Sequence, residues 1–391
     1  MGNKGSNYLR TKILHCPTAV GGNPPGISRV LNELGVSSFS LVFEQNAYKY
    51  KVDRVLFRKK DGFLIREIKR ILAIFTITWK FQVIHYNFGT TLASPLYPEK
   101  PGEGTFRAIA RKAYSLYTWT LQYLELLILK ALGKSIFVHY QGDDARQGSY
   151  SLKNFKFSIA TEVDENYYNS SSDAFKQRSI KRMARFCDGI YALNPDLLHV
   201  LPEGSKFIPY CHLDLSDWSP IYSQSETNRP LRIGHAPSHR KAKGTELIIK
   251  ALDSLREEGF CFDFVLVEGL SNEQARKKYE TIDVLVDQLF AGWYGGLAVE
   301  AMALGKPVLV YLREEDLRFI PLRMRAELPF VRVCPESIKE GLEKVLKMPR
   351  QELLVLAKKS RVFIENWHDP LVIVKEIKED YENALRKRGK I

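Results

Sequence analysis

The sequence predicts an α/β protein built from two doubly wound parallel-sheet domains, and three observations carry that expectation. Val284, Leu285 and Val286 form a short, apolar, β-branched run that ends in the polar pair Asp287 and Gln288, as a parallel strand covered on both faces and pointing at a site should. Lys12 to Cys16 (KILHC) makes a similar run that feeds a glycine-rich loop and then a helical stretch, the way an open parallel sheet builds a crevice at its carboxyl edge. Third, 391 residues exceed one ordinary core, and a polar, aperiodic stretch, His212 to Pro230, divides them. We therefore expect a first domain over 1–211, a linker over 212–230, a second domain over 231–366, and a final helix over 367–391.

Along the first domain, the loop from Pro17 to Gly26 holds three glycines and three prolines, and a helix is expected from about Ile27 to Leu34. Gly21, Gly22 and Asn23 would sit at the crevice, or form a mere turn; no Gly-x-Gly-x-x-Gly spacing supports a dinucleotide fingerprint. From Asp61 to Phe81 apolar residues recur at helical spacing among Arg66, Lys69 and Arg70, after Arg58, Lys59 and Lys60. This segment fits either a helix covering the sheet or one lying on an anionic membrane surface. Tyr114 to Leu132 invites the same pair of readings. Strands are expected at Gln82–Tyr86, leading into Asn87, Phe88, Gly89 and Thr90, and at Ser135–Tyr140, leading into Gln141, Gly142, Asp143 and Asp144. Both polar clusters should line one crevice. Adjacent carboxylates on a turn commonly face solvent or cap the next helix, so Asp143 and Asp144 predict no metal. His139 reads as a packed core residue or a site residue on the strand face opposite Tyr140. Gly189–Leu193 and Lys206–Tyr210 complete the domain as strands, with Asn194 capping a helix from Pro195.

The second domain opens with the strand Leu231–Gly234 and the loop HAPSHRKAKGTE, whose His239, Arg240, Lys241 and Lys243 precede a helix at Thr245. Such a loop can hold a diphosphate or be a basic surface turn. After the strand Phe262–Glu268 comes Asp283 to Tyr311, which reads strand, glycine loop, helix, glycine stop, strand. Gly295 and Gly296 lack Cβ atoms, so an anion could approach the backbone amides where the helix dipole favours negative charge. Glu300, early in that helix, can accept two hydrogen bonds from a vicinal diol such as a ribose. Gly305 stops the helix and Pro307 opens the next strand. Phosphate cradle and diol acceptor together suggest a nucleotide; the alternative is one ordinary strand-helix-strand unit whose glycines serve packing. Val331–Val333 is a last short strand.

The net charge of +13 favours an anionic partner: nucleic acid, anionic lipid or a sugar nucleotide. No zinc-finger spacing, aromatic RNP-like stretch or basic region with heptads is present, which argues against nucleic acid. With 45% hydrophobic and 26% charged residues, nothing reads as disordered. MGNKGSNYLR lacks the apolar core of a signal peptide and no apolar run reaches membrane-spanning length, so a cytoplasmic chain is expected, in peripheral contact with the inner membrane face if the basic apolar segments dock there. Met1-Gly2 with Ser6 formally fits a myristoylation pattern. Five scattered cysteines without a Cys-x-x-Cys pair are expected to be reduced.

The stretch GWYGGLAVEAMALGKPVLVY resembles the donor-site signature of glycosyltransferase family 4 and its relatives of GT-B fold. That family carries a glutamate, seven residues, then a second glutamate before Ala-Met-Ala-x-Gly-x-Pro-Val. Glu300 matches the second, followed by Ala301, Met302, Ala303, Gly305, Pro307 and Val308; the first falls on Gly292. The resemblance implies two Rossmann-like domains facing a central cleft, a final helix that crosses back to the first domain, a nucleotide-sugar donor, and a glycan or lipid-linked acceptor on the first domain's side, with no further cofactor and no metal. It places Glu300 on the ribose, Trp293, Tyr294, Gly295, Gly296 and Leu297 around the donor, and Asp287 or Gln288 in place of the missing carboxylate. In the family an arginine and, five residues on, a Lys-Gly pair contact the diphosphate: Lys243 and Gly244 match, while the arginine falls on Ser238, leaving Arg240 or His239 to replace it. HYQGDDAR is similar to the family's His-Gly-x-Asp turn, with Gly142 and Asp144 matching and Gln141 where the histidine stands. Asp144 with Asp287 and Gln288 are thus the candidate reacting groups, and Gly21, Gly22, Asn23, Asn87 and Gln141 the acceptor side. Retention of anomeric configuration is implied by the resemblance alone. Three alternatives remain open: a GT-B shell that binds without transfer, a nucleic-acid binder, and a sugar-nucleotide epimerase of GT-B fold, which would need carboxylates near the donor sugar.

Overall fold

A computed structural model describes residues 11–46, 49–99, 102–164, 167–222 and 229–390. Met1, Gly2 and Ser6, and residues 223–228 of the polar stretch, lie outside these. The chain forms two compact units. The first takes the chain up to Gln147, Asn169–His212, and everything from Pro370; the second takes Gly148–Tyr168 and Leu213–Asp369. Residues 148–168, assigned from sequence to the first domain, belong to the second unit because Ile159 and Tyr168 pack in a core with Ile233, Ala242 and Leu289.

In the first unit seven parallel strands, β1 (Lys12–Cys16), β2 (Ser37–Val42), β3 (Arg54–Val55), β4 (Val83–Asn87), β5 (Ser135–Tyr140), β6 (Gly189–Ala192) and β7 (Lys206–Phe207), run in the order β3-β2-β1-β4-β5-β6-β7. The order reverses between β1 and β4, and ligand crevices form outside the carboxyl ends of strands at such a switch. One face of the sheet buries Leu14, Ile84 and Val138 against Ile74, Ile77 and Leu126. The other buries Ile13, Val83 and Phe137 against Ile27 and Leu31 and against Val374, Ile377 and Tyr381 of the Pro370–Lys387 helix.

Helix α1 spans Asn23–Glu33, earlier than the expected Ile27, because Pro24 and Pro25 fall in its first turn, where a missing N–H is no loss and φ is already helical. Helices α2 (Phe63–Lys80) and α3 (Thr105–Ala131) lie side by side, with the Phe63 and Tyr114 rings 5.3 Å apart. Strand β7 is shorter than expected and Pro195–His199 is a 3-10 turn rather than an α-helix.

The second unit's sheet contains β8 (Leu231–His235), β9 (Phe262–Leu266), β10 (Val284–Val286), β11 (Val308–Val310) and β12 (Val331–Arg332), all parallel, in the order β12-β11-β10-β8-β9. Its switch point lies between β8 and β10. Burial of all six residues of β10 and β11 explains why those strands are uniformly apolar, Val-Leu-Val in each case.

Candidate active site

At the carboxyl ends of β8 and β10 the chain brings together Lys243, Asp287, Gln288 and the loop before the Gly296–Ala303 helix. Asp287 follows β10 directly and is fully buried; its Oδ2 accepts the Gly295 N–H at 2.6 Å, fixing the entry to the helix. Its Oδ1 has no hydrogen-bond partner among the described residues, and Lys243 Nζ stands 4.0 Å away. Burial pushes the Asp287 carboxyl above its ordinary range, while Lys243 and the Gly295 amide pull against that shift. Gln288 accepts a hydrogen bond from Lys243 Nζ through Oε1 and donates through Nε2 to the Trp293 carbonyl. Asp287 and Gln288 therefore lie beneath the loop and hold it and Lys243 in place.

The helix they aim has Gly295 at its N-cap and no side-chain cap, leaving its first amides for another partner. Gly296 and Leu297 are half-buried. A Cβ on Gly295 would sit 3.5 Å from Asp287 Oδ2 and 3.6 Å from Lys243 Nζ, so this glycine's open side faces the lysine. One turn on, buried Glu300 accepts a hydrogen bond at 2.9 Å from Asn272 Nδ2. Asn272 opens the Asn272–Tyr279 helix, whose capping box is made by Ser271 and Gln274. Sequence reasoning passed over Asn272; the Ser-Asn-Glu-Gln run just after a strand was the available signal. Trp293 and Tyr294 are enclosed, with Tyr294 Oη 2.8 Å from His368 Nε2, so their side chains serve the core.

The basic loop divides its charges. Arg240 bonds Glu246 at 2.8 Å and Glu268 at 3.0 Å, which raises its pKa further. His239 caps the Arg240–Lys243 turn through the Ala242 N–H, and Ser238 is exposed. Gly244 adopts φ +78° against Leu289 and Phe290, the left-handed conformation that turns the chain into the Thr245–Glu257 helix. His235, at the end of β8, is held by the Val286 carbonyl at 2.8 Å and Thr245 Oγ1 at 2.9 Å, and burial lowers its pKa to about 4.

At the first unit's switch point, Gly21 and Gly22 take φ of +60° and +74°, and a Cβ on Gly22 would lie 2.9 Å from the Tyr50 ring. Asn23 accepts the Cys211 N–H at 3.0 Å. Asn87 ends β4, donating to the His85 carbonyl at 3.1 Å, and its Oδ1 lies 3.4 Å from Gln141 Nε2. The Gln141 carbonyl is held by Asn194, which in turn accepts from Tyr210. Asp144 closes the turn by accepting the Gly142 N–H at 2.7 Å and the Gln141 N–H at 3.0 Å; burial raises its pKa to about 7. It is placed to shape this loop rather than to react. Among the described residues no group of three or more His, Cys, Asp or Glu side chains is arranged to hold a metal ion.

No protein-family model matches the sequence, and no curated protein matches it either. Solved structures do. Sucrose-phosphate synthase from Thermosynechococcus elongatus aligns with a TM-score of 0.60 at 13% identity, covering 97% of this chain and 100% of that one. A glycosyltransferase from Rickettsia africae gives 0.57 at 13%, over 97% and 99%. The catalytic domain of starch synthase IV from Arabidopsis thaliana, bound to ADP and acarbose, gives 0.55 at 12%, over 97% and 99%.

The fold is GT-B.

Within this GT-B chain, position 292, on which the first glutamate of the family 4 signature falls, has a structural cause for its glycine. Gly292 takes φ +80°, and a Cβ there would lie 2.5 Å from Arg313 Nη1. That buried guanidinium is held by Asp316 at 2.9 Å and the Phe157 carbonyl at 2.9 Å, 3.7 Å from the centre of the Phe155 ring. The space a side chain at 292 would need is taken by an ion pair supplied by the chain after β11.

Proposed function

We propose that this GT-B chain is a glycosyltransferase related to family 4, moving a sugar from a nucleotide-sugar donor to a glycan or lipid-linked acceptor, without a metal and with retention of anomeric configuration. The observation that carries the reading is the assembly at the β8/β10 switch point of an uncapped helix N-terminus, Lys243 against its glycine, and Glu300 one turn further along. The donor diphosphate lies on the Gly296 and Leu297 amides with Lys243 beside it. As the sugar departs, negative charge grows on that diphosphate, and prepositioned N–H groups and an ammonium stabilise it more in the transition state than in the ground state. Glu300, steadied by Asn272, accepts the ribose hydroxyls. Asp287 and Gln288 act through Lys243 and the loop as positioning residues. The positive groups stand where other transferases use a metal, and departure and attack on one face of the sugar need no protein nucleophile. The acceptor enters beside Gly21, Gly22, Asn23, Asn87 and Gln141. The protein works in the cytoplasm, in peripheral contact with anionic membrane.

Thermal shift against UDP-, GDP-, ADP- and CMP-sugars tests the donor site. A ligand at a hundredfold excess over its Kd stabilises the folded state by about 2.7 kcal/mol; one nucleotide should raise Tm, and no response from any would remove the reading. A second reading, donor binding without transfer, draws on Arg313 occupying the space at Gly292. Sugar release from the stabilising donor, with and without candidate acceptors, separates the two.

A further inference from the structure

Helices α2 and α3 turn an apolar face to solvent. On α2 the outward stripe is Leu64, Ile68, Ile71, Leu72, Phe75 and Trp79, with Leu64 74%, Phe75 63% and Trp79 69% exposed. No charged residue interrupts it, and the opposite side, with Ala73, Ile74 and Ile77, is buried. On α3, Ile109, Leu116, Leu124 and Leu127 continue the face, and Phe106 is 85% exposed near its start. Contacts between Tyr114, Tyr117 and Glu67 join the two helices. Phe75 and Trp79 alone present on the order of 250 Å², and the whole face exceeds the few hundred Å² that monomers commonly leave open (about 300–600 Å²).

The rim of the face is basic. From Arg58 to Phe81 the sequence holds seven basic and two acidic residues, and both acids are engaged: Asp61 by Lys69, and Glu67 by Arg70 and the two tyrosines. Lys59, Lys60, Arg107 and Lys112 are exposed. Beside α2, a cavity of about 320 Å³ reaching β2 and β3 is edged by Arg54, Arg58, Lys69 and Lys80. No described helix is long and apolar enough to cross a membrane.

We infer that the α2/α3 face docks the protein in the plane of an anionic lipid surface, the apolar stripe entering the headgroup boundary and the basic rim meeting lipid phosphates. A helix with an apolar side, a basic margin and no spanning length has this mode of binding. A second copy of the chain fits less well. A twofold interface pairs a patch with itself, which would set one basic rim against another. The inference rests on the membrane contact of the proposed function and gives it a surface, and it stands or falls separately from sugar transfer, since it uses neither switch-point loop.

The test is co-sedimentation of the full chain with vesicles of phosphatidylcholine alone and of phosphatidylcholine and phosphatidylglycerol in equal parts, at low and high salt. The wild type should pellet with the anionic vesicles and be released by salt, whereas Leu72→Glu/Phe75→Glu should remain in the supernatant. Lys59→Glu/Lys60→Glu should weaken binding about tenfold or more; lying in an exposed loop, it carries the test if the first variant does not fold. Wild type that ignores anionic vesicles, or carboxylates at 72 and 75 without effect, overturns the inference. A concentration-dependent dimer in sedimentation equilibrium that Leu72→Glu/Phe75→Glu converts to monomer assigns the face to a second copy instead.

Discussion

Two glycines three residues apart should answer the same substitution in opposite ways. At Gly292, alanine meets two penalties. A non-glycine residue at φ +80° costs about 1–2 kcal/mol, and a methyl 2.5 Å from the Arg313 guanidinium must displace a buried ion pair, an overpacking penalty of about 1–3 kcal/mol. Together they give about 2–5 kcal/mol, or a Tm lower by roughly 5–15 °C for a unit of this size. At Gly295 the backbone is extended, φ −99° and ψ 177°, and the methyl would meet its neighbours at 3.5–3.6 Å, ordinary contact distance. Gly295→Ala should therefore melt within about 1 kcal/mol of wild type, yet place a methyl between Lys243 and the helix amides and abolish the thermal shift given by the nucleotide sugar. The assay is one set of melting curves with and without ligand. If Gly292→Ala melts like wild type, Arg313 is not fixed there. If Gly295→Ala keeps full nucleotide response, the diphosphate lies elsewhere.

Lys243→Ala should weaken nucleotide binding by about 1.5–3 kcal/mol, the worth of a hydrogen bond to a charged group, and should also lower the Tm of the free protein, because buried Asp287 loses its nearby ammonium and Gln288 Oε1 its donor; isothermal titration reads the first and melting curves the second. Glu300→Gln should lose more affinity for a nucleotide sugar than for inorganic diphosphate, because only the former carries a ribose, and equal losses would count against the ribose assignment. His15 and His139 are fully buried, each with both ring nitrogens unpartnered among the described residues, and burial lowers both to about 3. Below pH 6.5 the unfolded chain takes up protons that the folded chain refuses until about pH 3, so stability is full above 6.5 and falls as pH drops through that window. Between pH 6.5 and 5 each histidine should remove about 2 kcal/mol, and His139→Phe, which gives up no hydrogen bond, should restore about that much at pH 5 in urea titrations. A stability unchanged between pH 7 and 5 would contradict this.

Much of the second unit was legible because β10 and β11 are buried on both faces and the glycines around the helix between them have local causes. The resemblance built on those residues carried the fold through to the GT-B neighbours. Strands β2 and β3 were not legible. In SSFSLV the serines look like a loop, but Ser38 Oγ bonds Ser28 and Ser40 Oγ bonds Asp53, so burial is met by polar pairing that periodicity cannot register. The histidine ladder escaped for a related reason. His15, His85 and His139 come from three distant stretches, and only the register of β1, β4 and β5 sets their rings 4.9 Å and 5.8 Å apart. Membrane contact by α2 was one of two sequence readings, and periodicity could not choose between them because α2 is apolar on both sides. Its inner side covers the sheet as one reading required, and its outer side leaves the other open.

The three departures from the family signature have different physical weight. Gln141 keeps its place through Asn87 and Asn194, so the loop shape survives the loss of a histidine while a titrating group does not. Gly292 is backed by Arg313, so restoring a glutamate there would require removing an ion pair as well; a single Gly292→Glu change should unfold the unit more readily than it restores a contact. Ser238 has no such backing. Arg240 is tied to Glu246 and Glu268, which in the proposed donor site leaves the diphosphate charge to Lys243 and the helix amides. Ser238→Arg, at an exposed position, should then tighten nucleotide binding by about 1.5 kcal/mol. An unchanged or weaker Kd in titration calorimetry would mean that the loop does not face the diphosphate.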